Sequence, residues 1–305
     1  MYSLAMPRAY EACSGCSLCR LVCPMWRARR DPRFSPEGIA KARQCGATAA
    51  DLAPVLEACA LCGACDPVCP ERIDLTGMVM DLRLALPRRP ESIALQAQLA
   101  QAAVRAEAAP AGALLLAGAE LRADPALLAR VEVLLGFASA EDDGADIALA
   151  LATGGQPDGA RLRRFLDSLA GRTLVVGDGL LLAALRRWLP GARLQGLGEA
   201  LVSQPRIRRR LTSADFYVIE ARAYHADYER LVTYYDRLRA ETGCTLNLDL
   251  QRIAIPASDE AEARWMLQGR RPTRIVVESL ADRAVVAAVT ELPVVHLAEL
   301  AEHES

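Results

Sequence analysis

The 305-residue chain is long enough for two domains or three small ones, and its 52% apolar and 24% charged residues are a globular composition, not a disordered one. A net charge of −2 excludes a general electrostatic case for nucleic-acid binding. No apolar run reaches the roughly 20 residues of a membrane span, and the N-terminus lacks the basic-then-apolar layout of a signal peptide, so a cytoplasmic protein without a membrane span is expected.

Nine of the ten cysteines fall before residue 70. They form two dense knots, Cys13-x-x-Cys16-x-x-Cys19-x-x-x-Cys23-Pro24 and Cys59-x-x-Cys62-x-x-Cys65-x-x-x-Cys69-Pro70. Each is the ligand run of a [4Fe–4S] cubane, in which three closely spaced thiolates reach three irons and the fourth serves the other cluster. Two [4Fe–4S] clusters are therefore expected. Cys13, Cys16, Cys19 and Cys69 would hold the first, and Cys59, Cys62, Cys65 and Cys23 the second. Structural zinc uses separated cysteine pairs closing one tetrahedral site, and these knots are one set too dense for that. Disulfides belong to small secreted chains.

The 35 residues between Cys23 and Cys59 read as helical. Ser35-Pro36-Glu37 is a helix start, with Ile39, Ala42 and Ala47 as a weak apolar face ending near Cys45-Gly46. Asp51 to Ala58 reads as a short helix running into the second knot. Thr76 to Leu86 and Ser92 to Glu107 follow as helices, broken by Pro87-Arg88-Arg89-Pro90. The stretch CPMWRARRDPRFSPEGIAKARQCG, then CALCGACDPVCPERIDL and a helix, resembles the two-cluster ferredoxin component of heterodisulfide reductase over about residues 10–85. The same module opens the iron–sulfur subunits of glycerol-3-phosphate dehydrogenase, glycolate oxidase and lactate-utilisation proteins. The expected fold class is α + α/β, with an all-helical ferredoxin domain over residues 1–108.

Residues 108–112 read as a linker. Beyond it, short apolar strands at Ala113–Ala117, Thr173–Val176, Phe216–Ile219 and Arg274–Val277 alternate with helices. The region resembles itself at offsets of 100 to 103: Leu121 with Tyr224, TLVVGDGLL at Thr173 with RIVVESLAD at Arg274, and GLGEAL at Gly196 with HLAELA at His296. Two related α/β halves are expected, 111–203 and 213–305.

That layout resembles the paired CCG domains found downstream of two-cluster ferredoxins in the same relatives, where cysteines hold non-cubane clusters. The resemblance implies cysteines near Gly118-Ala119, Asp146-Ile147-Ala148, Asp178, Leu181, Glu220 to Arg222, Ser279 and Asp282. None of these is cysteine. The α/β region therefore reads as a degenerate, cysteine-depleted CCG tandem, similar to the catalytic CCG component of heterodisulfide reductase but without its clusters.

Other residues have plain readings. Cys45 and Cys244 read as buried small hydrophobes, Cys45 with the option of lining a cluster pocket. His225, His296 and His303 stand isolated, His296 as structural at the end of a Pro293-Val-Val strand. Gly154-Gly155, after an apolar strand-like run at Ile147 to Leu151, and Gly177-Asp178-Gly179 read as plain turns rather than phosphate loops. Arg27, Arg29, Arg30, Arg206, Arg208, Arg209 and Arg210 read either as solvated faces or as a docking patch for an acidic partner. Tyr224, Tyr228, Tyr234 and Tyr235 suggest one helix face. Together these imply a non-catalytic electron-transfer subunit in a hetero-oligomer. Its implied partners are a flavoprotein subunit like that of heterodisulfide reductase and a catalytic CCG-domain subunit like the one that cleaves disulfides there. The alternatives are the iron–sulfur subunit of a flavin-dependent 2-hydroxyacid or glycerol-3-phosphate dehydrogenase, a thiol–disulfide reductase in its own right, and a redox-sensing iron–sulfur scaffold.

Overall fold

The computed structural model describes residues 9–107 and 112–301. The expected linker lies, apart from Gly112, outside the described residues, as does His303. The cysteine-rich region is helical. After Cys19 on α1 (Leu18–Leu21), Pro24 opens α2 (Pro24–Arg29), where its fixed φ suits a first helical position. In α3 (Pro36–Gln44) the Ser35 hydroxyl accepts the Gly38 N–H at 3.0 Å, the cap its sequence announces. Then come α4 (Ala53–Ala58), running directly into Cys59, α5 (Leu75–Leu84), capped by Asp74, and α6 (Pro90–Arg105). Pro90 starts α6, two residues before the expected helix, because proline is favoured in a first turn.

The remainder alternates strand and helix. β1 (Leu114–Leu116) leads through α7 (Gly118–Arg122), α8 (Pro125–Leu135), α9 (Ala145–Thr153) and α10 (Gly159–Leu169) to β2 (Thr173–Val176). After α11 (Gly179–Trp188) come β3 (Arg193–Gly196), α12 (Leu197–Val202) and α13 (Pro205–Arg208). The second group runs β4 (Asp215–Val218), α14 (Ala221–His225), α15 (Tyr228–Thr242), β5 (Thr245–Leu246), α16 (Glu260–Leu267), β6 (Arg274–Val277), α17 (Leu280–Ala287) and β7 (Val294–His296). Strands pair in parallel in two sheets, β1-β2-β3 and β5-β4-β6-β7. The run β2-α11-β3-α12 has its counterpart in β6-α17-β7 and the 3-10 turn Leu297–Leu300, matching the sequence offsets. The fold is thus mixed, helices beside two small parallel sheets.

Both sheets are covered on both faces, as parallel sheets require. Alternation along the strands sends Leu115, Val175, Tyr217 and Val276 into one core shared with the cysteine-rich helices. Leu114, Leu116, Leu174 and Val176 face a second core, and Phe216, Val218, Ile275 and Val277 a third. The second knot is therefore buried against the α/β region rather than held out from it.

Two expectations change here. Ile147 to Leu151 lies inside α9, not in a strand; a short apolar run does not reveal its period, and its alanines favour helix. The four tyrosines do not share one helix face. Tyr224 lies on α14 and the others on α15, and the two helices bring them into edge contact, with ring centroids 5.7 Å apart for Tyr224–Tyr235 and 5.9 Å for Tyr224–Tyr228.

Candidate functional site

Cys13, Cys16 and Cys19, all from the first knot, line one cavity together with Cys69 from the second. Glu37 and Glu71 stand at the same cavity, with Ile73 and Leu75 as its apolar wall. Cys16 is exposed there, while Cys19 is buried.

The other four thiols lie within electrostatic reach of one another. Cys23 feels Cys59, Cys62 feels both, and Cys65 feels all three. Burial pushes every one of these thiols up, Cys23 to about 11, and it likewise lifts Cys19 of the first group to about 12. Backbone N–H groups favour the thiolates: Leu61 toward Cys59, Ala64 toward Cys62, and Met25 and Trp26 toward Cys23. Buried thiols that stay protonated until a cation replaces the proton, with amides already aimed at sulfur, suit a polynuclear iron core. The thiols of the first group surround a space; among the described residues no three His, Cys, Asp or Glu side chains close on a single metal ion. Four sulfurs drawn from both knots around that space fit cubane ligation.

The two cysteine loops share one backbone device. Left-handed residues fall two and four positions after the first cysteine of each knot: Gly15 and Ser17 (φ +80° and +66°), Leu61 and Gly63 (φ +76° at Gly63, +52° at Leu61). Such a conformation turns successive amides toward a common centre. At Gly63 a Cβ would also sit 3.0 Å from the Cβ of His225, so glycine meets both the angle and the approach.

His225 is the residue that sequence reading missed. Its Nδ1 lies 2.6 Å from the Cys62 carbonyl, and its Nε2 accepts the Ala254 N–H at 3.3 Å, so Nδ1 carries the proton and donates to Cys62. Burial holds the ring neutral, down to about 4. Beside it Arg222 Nη2 donates to the Ala60 carbonyl at 3.1 Å, and Arg83 donates to the carbonyls of Leu56 (2.6 Å) and Cys59 (2.5 Å). No sequence spacing flags His225 or Arg222, because more than 150 positions separate each from its partner.

The arginine runs are mostly exposed, as at Arg29, Arg30, Arg206, Arg209 and Arg210, while Arg27 and Arg208 are partly buried. Arg27 pairs with Glu262 at 3.1 Å and Asp249 at 3.3 Å, with its guanidinium 3.8 Å from the Trp265 ring centroid. Arg29 and Arg30 stack on Phe34 and Trp26. Arg206 bonds the Leu134 carbonyl, and Arg208 bonds Glu241 and the Tyr234 hydroxyl. Cys244 is buried beside the Thr242 hydroxyl. Cys45 is exposed, against expectation, because it ends α3 just before Gly46 turns the chain. Gly154 caps the end of α9 as a plain turn.

A cavity of about 360 Å³ opens where the strand ends of both sheets meet the second knot, with Ala60 and Cys62 on its wall. Its lining includes Gly118 and Ala119, Asp178, Glu220 to Arg222, Ser279 and Asp282, which are positions where the CCG resemblance implies cysteine. Leu181 and Ile147 are instead in the hydrophobic core, and Asp146 is buried against Arg161. At three of these positions the side chain caps a helix N-terminus: Asp178 caps α11, Glu220 caps α14, and Ser279 caps α17. Glu278 crosses behind them, accepting Tyr217 Oη (2.5 Å) and Tyr235 Oη (2.6 Å) on one oxygen and the Glu220 N–H (2.8 Å) on the other.

His296 borders this cavity in the structural role expected of it. Nδ1 accepts the Ala298 N–H at 3.2 Å, so Nε2 donates to the Glu278 carbonyl at 3.1 Å. Burial holds it down to about 4. The unfolded chain takes up this proton below about pH 6.5, whereas the folded chain resists until about 4, so the contribution is complete above that window and lost as pH falls through it. The unfolding free energy is expected to fall more between pH 7 and pH 4 for the native chain than for His296→Gln, by up to about 3 kcal/mol. Equal slopes would remove His296 from the account.

The comparisons with known proteins bear on the cysteine-rich region alone. A family described as a 4Fe-4S dicluster domain matches residues 9–73, which contain both knots. No curated protein and no solved structure matches the chain. Residues 9–73 thus form an iron–sulfur, ferredoxin-like module that binds [4Fe–4S] and serves electron transfer. Among the described residues no helix is long and apolar enough to cross a membrane.

Proposed function

We propose that the chain is the electron-transfer subunit of a heterodisulfide-reductase-like complex, relaying single electrons between a flavoprotein and a catalytic partner. The observation that carries this is the cavity shared by Cys13, Cys16, Cys19 and Cys69, thiols drawn from both knots. In this reading two cubanes are bound, one by that set and one by Cys59, Cys62, Cys65 and Cys23. Each supplies one-electron chemistry at a potential set by its surroundings. The chain's own residues exclude water from the second set and aim amides at its sulfurs. Residues 1–108 form the cluster domain, and 111–203 and 213–305 are docking halves derived from a CCG tandem.

The cavity at the strand ends supports the division of labour. Its wall offers carboxylates and backbone caps where cluster-bearing relatives would have thiols, so the bond chemistry falls to a partner. The same feature weighs against the dehydrogenase subunits, which normally keep those cysteines. The flavoprotein partner would be similar to the flavin-bearing component of heterodisulfide reductase, and the catalytic partner to its CCG-domain component. Purification of the tagged chain from its native cells under anaerobic conditions tests this. A flavin-containing subunit in fixed ratio, whose reduction bleaches the cluster absorbance, is the expected result. A chain isolated alone and indifferent to any reduced flavoprotein of those cells would overturn it.

A further inference from the structure

The two cysteine loops are held from different places. In the first, the Cys13 carbonyl accepts Lys41 Nζ (2.6 Å) and Gln44 Nε2 (3.0 Å), both from α3 within the cysteine-rich region. In the second, Arg83 of α5 holds the Cys59 carbonyl, but Arg222 and His225 reach in from α14 of the α/β region to the carbonyls of Ala60 and Cys62. We propose that the α/β region sets the reduction potential of the second cluster alone, with Arg222 and His225 as its positioning residues. The inference rests on the reading that both thiol sets carry cubanes.

Charge and orientation both act on the second cluster. Reduction adds a negative charge to a cluster already ringed by thiolates, so a fixed cation nearby stabilises the reduced state and raises the potential. Arg222 is such a cation: its guanidinium donates at 3.1 Å to the carbonyl of Ala60, which lies between Cys59 and Cys62. Arg83 adds to it at Cys59, and Asp66, beside Cys65, opposes it. Arg27 also acts on Cys23, but its charge is met by Glu262 and Asp249. The acid acting on Cys19 of the first set is Glu37, itself paired with Arg20 at 2.7 Å. Orientation comes from His225. His225 pins the Cys62 carbonyl outward between two left-handed residues, which leaves the neighbouring amides free to face sulfur. Its ring is neutral, so this effect is one of geometry rather than charge.

The test is a potentiometric titration of the whole reconstituted chain followed by electron paramagnetic resonance, with iron counted on each sample. The second cluster's potential is assigned as the one that survives in Cys69→Ser protein. Arg222→Met is expected to lower that potential by roughly a tenfold step in the oxidised-to-reduced ratio, about 59 mV for one electron, and to leave the other unchanged. Arg222→Lys keeps the charge and is expected to keep most of the potential. His225→Ala is expected to shift the same potential and alter its spectrum, and His225→Asn, which retains an N–H donor, to restore both.

With iron retained, potentials that stay put, or two that shift together, would overturn the proposal. If Arg222→Met sheds its iron, Arg222→Gln, which keeps a donor for the Ala60 carbonyl but no charge, decides: a lowered second potential supports the proposal and an unchanged one contradicts it. A native chain with clearly fewer than about eight irons would instead defeat the two-cubane reading.

Discussion

Replacing Cys69 with serine is expected to cost the chain the cluster associated with the first knot, although Cys69 lies in the second. Cys69 lines the cavity of Cys13, Cys16 and Cys19, whereas Cys23, which also reaches Cys19, lies within electrostatic reach of all three of Cys59, Cys62 and Cys65. Iron is expected to fall from about eight to about four per chain, with the surviving cluster in the surroundings of the second set. Cys23→Ser is expected to do the converse. Because each cluster would then tie the two knots together, either loss is also expected to lower the thermal midpoint by several degrees. If Cys69→Ser instead removed the signals altered by Arg222→Met, each knot would feed its own cluster and the crossed assignment would be wrong.

Glu278 is expected to be the most sensitive position outside the knots. Its carboxylate is 5% exposed and takes three buried donors, from Tyr217, Tyr235 and Glu220. Glu278→Leu leaves all three without an acceptor, at about 1–3 kcal/mol each, so a loss of about 3 kcal/mol or more in denaturant unfolding is expected. Glu278→Gln keeps an acceptor oxygen and is expected to lose less. Gly198 supplies the room, since a Cβ there would lie 2.0 Å from the Glu278 carboxyl carbon. Burial raises Glu278 to about 7, so its own contribution is complete below about pH 4.5 and is lost as pH rises through 7. That sense is opposite to His296. A Glu278→Leu chain as stable as the native one would show that this network is dispensable.

Much of the molecule was legible because its signals are local. Cysteine spacing marked the iron–sulfur module, Ser35-Pro36 marked a helix start, and Thr173–Val176 and Arg274–Val277 marked strands. The offset near 101 has its structural echo in β2-α11-β3 and β6-α17-β7. Where period was ambiguous the reading failed, as at Ile147 to Leu151, where alanine-rich apolar sequence suits helix as well as strand. Long-range chemistry was illegible for a different reason. His225 looked isolated because nothing beside it in sequence is its partner, and only folding brings its Nδ1 to Cys62. Arg27 looked like surface for the same reason, until Trp265 and Glu262 covered it. The positions without cysteine were readable one at a time, but not their convergence on one cavity beside Cys62.

Iron and acid-labile sulfide per chain, measured on anaerobically purified protein, bear most directly on the central claim of a two-cluster relay whose α/β region carries none. About eight of each per chain is the result this account predicts. Four would leave one thiol set without a cubane, and twelve would place a cluster among residues that offer only Cys244 beyond the second knot; either would contradict it.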